Sequence, residues 1–269
     1  MPAPPPNVLT FAASDPSGGA GLQADVLTLA SLGCHPLSVV TALTLQDTHG
    51  VHALLPMQAR WVAEQAGVLL DDVPVAAFKL GVLGSADNVA AVAGIVARHP
   101  RVPLILDPVL ASGRGDPLAD GDVLRAMRDL LLPLTTVLTP NSVEARRLAS
   151  EGADSPVQGL ADCARRLLAK GCEYVLITGT HEPTAQVINT LYRDSGVVRE
   201  DRWERLAGDF HGSGCTLASA IAAKLAHGVN VPEAVGQAQR YTWNALDAGF
   251  RPGAGQSIPD RFFRFRNET

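Results

Sequence analysis

Near the start of the chain, Asn7-Val8-Leu9-Thr10-Phe11-Ala12-Ala13 runs into Ser14-Asp15-Pro16-Ser17-Gly18-Gly19-Ala20-Gly21. The first segment is apolar and predicts a buried strand, whereas the second is a loop rich in glycine. Residues 22–32 then have apolar side chains at helical spacing, and Gly33 is a typical helix end. A strand that leads through a glycine-rich loop into a helix is typical of α/β folds.

The same alternation continues along the chain. We predict strands at 37–45, 75–80, 102–106, 136–138 and 174–178, and helices at 58–70, 86–98, 122–131, 142–149, 160–170, 215–227 and 232–248. Residues 185–205 read as antiparallel strands, and residues 261–266 as a last strand or a docked tail. These patterns predict an α/β fold with a mostly parallel sheet covered on both faces. We expect a loose leader at 1–6 and a single domain at 7–269.

Composition narrows the class of protein. The chain has 269 residues, 46% of them hydrophobic, and a net charge of −5. Its Lys and Arg residues are scattered, which argues against a nucleic-acid-binding protein. No apolar run is long enough for a membrane span, and no secretory signal is recognisable. The four cysteines show neither zinc-site nor disulfide spacing, which favours a reducing cytoplasm.

His211-Gly212-Ser213-Gly214-Cys215-Thr216 directly precedes a predicted helix. Glycines at a helix N-terminus let backbone amides converge on an anion, and the helix dipole favours negative charge there. The same field is expected to lower the pKa of Cys215, making it a base or nucleophile. The alternative is a tight turn with a buried cysteine. A cysteine hydrolase is a remote further hypothesis.

Polar residues also follow several predicted strands. Gln46 has both donors and an acceptor for a heterocycle edge, although a strand-end Gln is more often a surface residue. Asp107 and Glu144 are candidate magnesium ligands near a phosphate site. Their alternatives are a turn residue before Pro108 and a first-turn helix acid. Asp25, one turn into the first helix, either contacts a ligand or is solvated.

Seven segments, in order, resemble those of the bacterial hydroxymethylpyrimidine/phosphomethylpyrimidine kinases of thiamine biosynthesis, within the ribokinase-like superfamily. The matching segments are 13–25, 40–48, 79–83, 106–109, 112–118, 139–145 and 211–217. The resemblance implies a three-layer α/β/α ribokinase-like fold and a cytoplasmic homodimer. It also implies ATP-dependent phosphorylation of 4-amino-5-hydroxymethyl-2-methylpyrimidine and then of its monophosphate, giving the pyrophosphate, with Mg²⁺ as cofactor.

The resemblance also implies roles for individual residues. Cys215 takes the position of the catalytic base, with the amides of Gly212, Ser213 and Gly214 as the anion hole. The residues expected to bind the substrate are Gln46, Asp25, Ala20, Gly21, Val82 and Val109. Those expected to bind the nucleotide are Asn141, Thr178, Gly179, Gly212 and Gly214, with Asp107 and Glu144 at the metal.

The chain departs from the family pattern in places. Many relatives have Lys-Gly-Gly-His where this chain has Thr178-Gly179-Thr180-His181, so the charge of a triphosphate needs another partner, for which Arg114 in the 113–118 loop is a candidate. Val82 replaces a common Met and Ser213 a common Thr. Two alternative functions stay open: a pyridoxal kinase of the same superfamily and a non-catalytic pyrimidine-binding regulator.

Overall fold

The computed structural model describes residues 3–112, 115–150 and 159–266. Its strands are β1 (Asn7–Ser14), β2 (His35–Gln46), β3 (Val51–Pro56), β4 (Ala77–Leu80), β5 (Leu104–Leu106), β6 (Val137–Leu138), β7 (Tyr174–Ile177), β8 (Gln186–Arg193) and β9 (Gly196–Glu204). They form one sheet in the order β3-β2-β1-β4-β5-β6-β7-β8-β9. Parallel pairing joins β2, β1, β4, β5, β6 and β7, whereas β3, β8 and β9 pair antiparallel with their neighbours.

Helices connect the parallel strands. They are α1 (Gly21–Ser31), α2 (Ala59–Asp72), α3 (Ala86–Val96), α4 (Gly121–Ala126), α5 (Ser142–Ala149), α6 (Leu160–Ala169), α7 (Ser213–Ala226) and α8 (Val231–Asp247). The helix predicted over 122–131 is shorter than expected, because Met127–Leu131 forms a π-helical turn. Pro133 follows in a 3₁₀ turn and cannot continue an α-helix.

Each face of the sheet has its own apolar core. Val8, Ala77 and Ile105 pack with α1, α7 and α8, whereas their strand neighbours Leu9 and Phe78 pack with helices of the opposite layer. Successive side chains on a strand point to opposite faces, so these short, wholly apolar strands are covered on both sides. The predicted α/β/α architecture with a mostly parallel sheet is therefore confirmed.

The predictions for the edge strands of the sheet and for the C-terminal segment were only partly correct. The predicted antiparallel pair within 185–205 is confirmed as β8 and β9. Strand β3 was not predicted, because both of its faces are largely exposed and its sequence does not alternate between polar and apolar residues. Residues 261–266 form turns docked on the protein rather than a strand.

The described part of the N-terminal segment, residues 3–6, has no helix or strand. Pro6 accepts a hydrogen bond from the His35 backbone. Among the described residues, no helix is both long and apolar enough to cross a bilayer.

Candidate active site

A cavity of about 640 Å³ opens at the carboxyl edge of the parallel strands. Ligands of open α/β sheets bind at this edge, because the loops that follow the strands converge there. The predicted site residues that line the cavity are Ala20, Gly21, Gln46, Val82, Asp107, Val109, Asn141, Glu144, Thr178, Gly212, Ser213, Gly214 and Cys215. Residues more than 190 positions apart in the chain thus share one space.

The N-terminus of α7 forms one wall of this cavity. Gly212 precedes the helix with a φ of 80°, which is the left-handed region that favours glycine. A Cβ at Gly212 would lie 1.8 Å from the carbonyl oxygen of Gly19, so the two glycine loops touch. The first-turn amides of α7 therefore face the cavity beside the loop that follows β1, an arrangement suited to an anion.

Cys215 lies in the first turn of α7, partly exposed to the cavity. Its sulfur lies near the ammonium group of Lys79 and the carboxylates of Asp107 and Asp25, which all influence its pKa. Burial raises the pKa of the thiol to about 12; Lys79 opposes that rise, while Asp107 and Asp25 add to it. The predicted lowering of this pKa by the helix field is wrong, because desolvation and two nearby carboxylates outweigh it. The alternative interpretation of Cys215 as a fully buried core cysteine is also excluded, because Cys215 is partly exposed and lines the cavity.

Asp107 directly follows β5 and is 4% exposed. Burial raises the pKa of its carboxyl group to about 6, although Lys79 opposes the rise. Its Oδ2 atom is buried and has no hydrogen-bond partner. A buried carboxylate oxygen without a partner is costly, so this atom is a natural contact for a cation or a proton donor of a ligand.

Glu144 and Asn141 form a capping box at the start of α5. The Asn141 side chain accepts hydrogen bonds from the amides of Val143 and Glu144, and Glu144 Oε2 accepts one from the Asn141 amide at 2.9 Å. Burial, followed by the charge of Asp107, raises the pKa of Glu144 to about 8. Glu144 is thus the first-turn helix acid of the alternative interpretation, and it also faces the cavity.

Beneath the cavity, Lys79 and Asp25 form a fully buried ion pair with Lys79 Nζ 2.8 Å from Asp25 Oδ1. Asp25 also accepts hydrogen bonds from Thr10 at 2.6 Å and Ser219 at 2.7 Å. Solvation of Asp25 is excluded, and it does not line the cavity, because its oxygens are taken by these three groups. Lys79 does line the cavity, and nearby carboxylates raise its pKa against the effect of burial.

Gln46 contacts protein rather than only solvent. Its Nε2 atom lies 2.7 Å from His211 Nε2, which lies 2.9 Å from Asp15 Oδ2. Burial would raise the pKa of Asp15, but hydrogen bonds from His211, Ser17 and Ala20 lower it to about 2. Gln46 is therefore part of a polar chain in the cavity wall.

Gly179 does not line the cavity, contrary to its predicted contact with a nucleotide. Its amide donates to Asn189 Oδ1 at 3.1 Å, and a Cβ on Gly179 would lie 2.3 Å from the Ile188 carbonyl oxygen. Close packing on β8 therefore explains this glycine. Gly113 and Arg114 lie outside the described residues.

The chain matches the model of a protein family described as phosphomethylpyrimidine kinase, over residues 15–260. It is 42% identical to the hydroxymethylpyrimidine/phosphomethylpyrimidine kinase of Mycobacterium tuberculosis, over 97% of this chain and 95% of that protein. This chain belongs to the phosphomethylpyrimidine kinase family. The site described above is thus that of a kinase family.

Solved structures of similar shape include two kinds of kinase. A Bacillus subtilis pyridoxal kinase in complex with ADP has a TM-score of 0.87 and 27% identity, covering 97% of this chain and 100% of that chain. A phosphomethylpyrimidine kinase from Clostridium difficile has a TM-score of 0.76 and 29% identity, covering 90% of this chain and 99% of that chain. These similarities agree with the predicted ribokinase-like fold.

Sequence reasoning missed three polar residues in this kinase-family site: Asp15, Lys79 and His211. Lys79 carried a recognisable signal, since it interrupts the apolar β4 strand, and a charged residue in a buried strand is rarely without a partner. Asp15 and His211 are adjacent to the glycines that were recognised. Their pairing across 196 positions could not be read from either segment alone.

The loop after β7 is anchored by arginines. Arg146 makes two hydrogen bonds to the Glu182 carboxylate, at 2.7 and 3.1 Å. Arg205 donates to the carbonyl oxygens of Thr180, Glu182 and Thr184 at 2.6–2.9 Å. The side chains of Arg146 and Arg205 therefore fix this loop beside the cavity, although Thr178 itself carries no charge.

Proposed function

We propose that this protein transfers the terminal phosphoryl group of ATP to the hydroxymethyl group of 4-amino-5-hydroxymethyl-2-methylpyrimidine, and then phosphorylates the resulting monophosphate. The observation that carries the proposal is the position of Cys215. Its sulfur lies at the amide-lined N-terminus of α7, near Asp107 and in the same cavity as Gln46. The groups that we propose as the proton acceptor, the anion cradle and the contact for the heterocycle thus line one cavity.

In the proposed reaction, the hydroxymethyl oxygen forms a bond to the γ-phosphorus as the bond to the bridging oxygen of ATP breaks. The hydroxyl proton passes to the thiolate form of Cys215, which the charge of Lys79 stabilises. The amides of Gly212, Ser213 and Gly214 stabilise the charge on the transferred group. Positioning and charge stabilisation account for most of the catalysis in such transfers.

Magnesium fits the carboxylates of this site. The partnerless Oδ2 of Asp107 and the Glu144 carboxylate are hard oxygen donors beside the anion cradle. In the described ranges, no three His, Cys, Asp or Glu side chains cluster to hold a metal, so phosphate oxygens and water would complete the coordination. When bound, Mg²⁺ supplies neutralising charge for the phosphates.

The second substrate already carries a phosphate, so the site must accept two successive anions. A cradle of backbone amides suits both anions, because its N–H donors are fixed in position. They are also neutral, so binding one anion does not neutralise a charge that the next anion needs. The name of the Mycobacterium tuberculosis relative favours the pyrimidine over pyridoxal. Pyridoxal is the informative comparison substrate, given the structural similarity to the Bacillus subtilis kinase.

Mass spectrometry of the products tests the proposal. The protein is incubated with ATP, Mg²⁺ and either hydroxymethylpyrimidine or pyridoxal, beside the Cys215→Ala variant. We expect a gain of two phosphates on the pyrimidine and almost none with the variant. Phosphorylation of pyridoxal alone would replace the proposed substrate, and binding without any product would favour a regulator.

We also propose a cytoplasmic homodimer. Leu43, Leu45 and Leu55, on the paired edge strands β2 and β3, are each about half exposed or more. An apolar patch at a sheet edge is a typical contact between protein copies. Light scattering after size-exclusion chromatography would give twice the mass of the chain, and Leu45→Lys would halve it.

A further inference from the structure

The imidazole of His211 lies between Asp15 and Gln46 in the cavity wall. A single ring nitrogen, Nε2, makes both contacts, 2.9 Å from Asp15 Oδ2 and 2.7 Å from the terminal amide of Gln46. The side chains of His211 and Asp15 are 12% and 3% exposed. One nitrogen thus contacts two partners. Whether it carries a hydrogen atom decides whether each partner must present an acceptor or a donor.

Asp15 can only accept hydrogen bonds. Its Oδ1 accepts from the Ser17 amide at 2.8 Å, and its Oδ2 accepts from the Ala20 amide at 2.7 Å. Its pKa of about 2 keeps it ionised at neutral pH. An ionised carboxylate has no hydrogen to donate, so His211 Nε2 carries the hydrogen between them.

The ring has little freedom to leave this position. The His211 amide donates to the Ser257 carbonyl oxygen at 2.8 Å, which fixes the backbone. Gly19 lies against the ring, since a Cβ on it would be 2.4 Å from His211 Cδ2 and 2.9 Å from Ile258 Cγ2. The imidazole is thus confined between the loop after β1 and the C-terminal segment.

Two N–H groups cannot face each other at 2.7 Å, so the amide oxygen of Gln46 belongs on the imidazole, where it shares the single Nε2 hydrogen with Asp15 Oδ2. A half-turn of the terminal amide exchanges its nitrogen and oxygen without moving the chain. We propose that Asp15 and His211 are positioning residues that hold the Gln46 oxygen and direct its NH₂ group toward the ligand. The site then selects a ring edge with a hydrogen-bond-accepting nitrogen.

This inference deepens the proposed function and rests on it for the ligand, an aminopyrimidine. A glutamine amide that rotates freely can either accept a hydrogen bond from the ligand or donate one to it. A glutamine whose oxygen is already bonded offers only N–H donors, which match the lone pair of an aromatic ring nitrogen. Asp15 therefore influences ligand preference through His211 and Gln46.

Nitrogen-15 NMR of histidine-labelled protein tests the hydrogen-bond chain directly. Long-range ¹H–¹⁵N correlations, assigned with a His211→Asn variant, report which ring nitrogen carries hydrogen. We expect His211 to be protonated at Nε2 in the wild type, and to lose that preference in Asp15→Asn. Asp47→Asn is the matched control, since exposed Asp47 also has a pKa near 2 but contacts His49 and His52 instead. A wild-type ring with hydrogen only at Nδ1 would overturn the inference.

Calorimetry with two pyridine analogues, each with CH in place of one ring nitrogen, tests the selectivity. The wild type should bind one analogue about tenfold more weakly than the pyrimidine. In Asp15→Asn that ratio should fall toward one, whereas in Asp47→Asn it should stay. An unchanged ratio in Asp15→Asn would overturn the role of Asp15, whereas equal weakening of all three ligands would indicate a structural effect and overturn it too.

Gln46→Glu provides the same test where Asp15→Asn does not fold. A glutamate can accept the His211 hydrogen but has no N–H donor, so its preference for the ring nitrogen should vanish. A retained preference would overturn the inference. Failure of the wild type to phosphorylate the pyrimidine would instead overturn the proposed function, and the His211 NMR signal would still decide the hydrogen-bond chain.

Discussion

Lys79 Nζ lies 2.8 Å from Asp25 Oδ1, and both side chains are completely buried at the floor of the cavity, which Lys79 lines. Lys79 comes from β4 and Asp25 from α1. The pair lies close enough to Cys215 and Asp107 to affect the pKa of both groups. The ion pair thus joins two elements of the fold and sets the electrostatic environment of the reacting groups.

Lys79→Met should strongly destabilise the protein. It leaves Asp25 as a buried charge without a cation, which typically costs about 3–5 kcal/mol. Chemical denaturation would measure the loss. Adding Asp25→Asn should restore much of the free energy of unfolding, because the amide needs no counter-ion. Arg60→Met breaks the exposed pair with Glu64 and should leave stability unchanged. Equal stability of the single and double variants would contradict the role of the pair.

The sequence predicted the parts of the fold that are locally encoded. The β1–loop–α1 unit was readable because an apolar run, glycines and helical spacing follow one another within residues 7–32. Strand β3 was missed because it is an exposed strand at the edge of the sheet, paired with β2. Its pairing depends on a neighbour rather than on its own residues.

The electrostatics of the site were less predictable than its location. The position of Cys215 at a helix N-terminus was correctly inferred, but its pKa depends on Asp25, Lys79 and Asp107, which come from other elements. Asp25 was expected to contact a ligand or water, and only the packing of β4 shows that it holds Lys79. Local sequence indicates which groups are present, whereas tertiary contacts set their charge.

Cys215→Ala should lower kcat by about 10²-fold or more, as expected for loss of a general base, with little change in substrate affinity. Steady-state kinetics and calorimetry with the pyrimidine would separate the two effects. Cys163→Ala removes a buried cysteine from the α6 core and is the matched control, with kcat retained. A kcat near the wild-type value in Cys215→Ala would show that another group accepts the proton.

Asp15 should contribute to stability in a pH-dependent way. Its pKa is lowered from 3.8 to about 2 in the folded protein. A lowered folded pKa stabilises the native state above the unfolded value, and this stabilisation is lost as pH falls through the folded value. The contribution is up to about 2 kcal/mol at neutral pH.

Urea denaturation of the wild type and Asp15→Asn at several pH values would measure this contribution. The difference in unfolding free energy between them should be largest above pH 4 and should shrink toward pH 2. A difference that stays constant over this range would mean that Asp15 keeps an ordinary pKa and that its hydrogen bonds do not favour the charged form.

Thr178→Lys should strengthen nucleotide binding. Thr178 lines the cavity just after β7, where the family resemblance implies a Lys, and it carries no charge to oppose a triphosphate. An added ammonium group near the phosphates is worth about 1 kcal/mol in a partly exposed site, so the KM for ATP should fall about fivefold. The KM for the pyrimidine should not change, because Gln46 and the residues around it are untouched.

Thr184→Lys is the matched control, since it adds the same charge on the exposed part of the same loop and should leave the KM for ATP as it is. Equal effects of the two variants would show a general charge effect, and no effect of Thr178→Lys would show that the triphosphate does not approach β7.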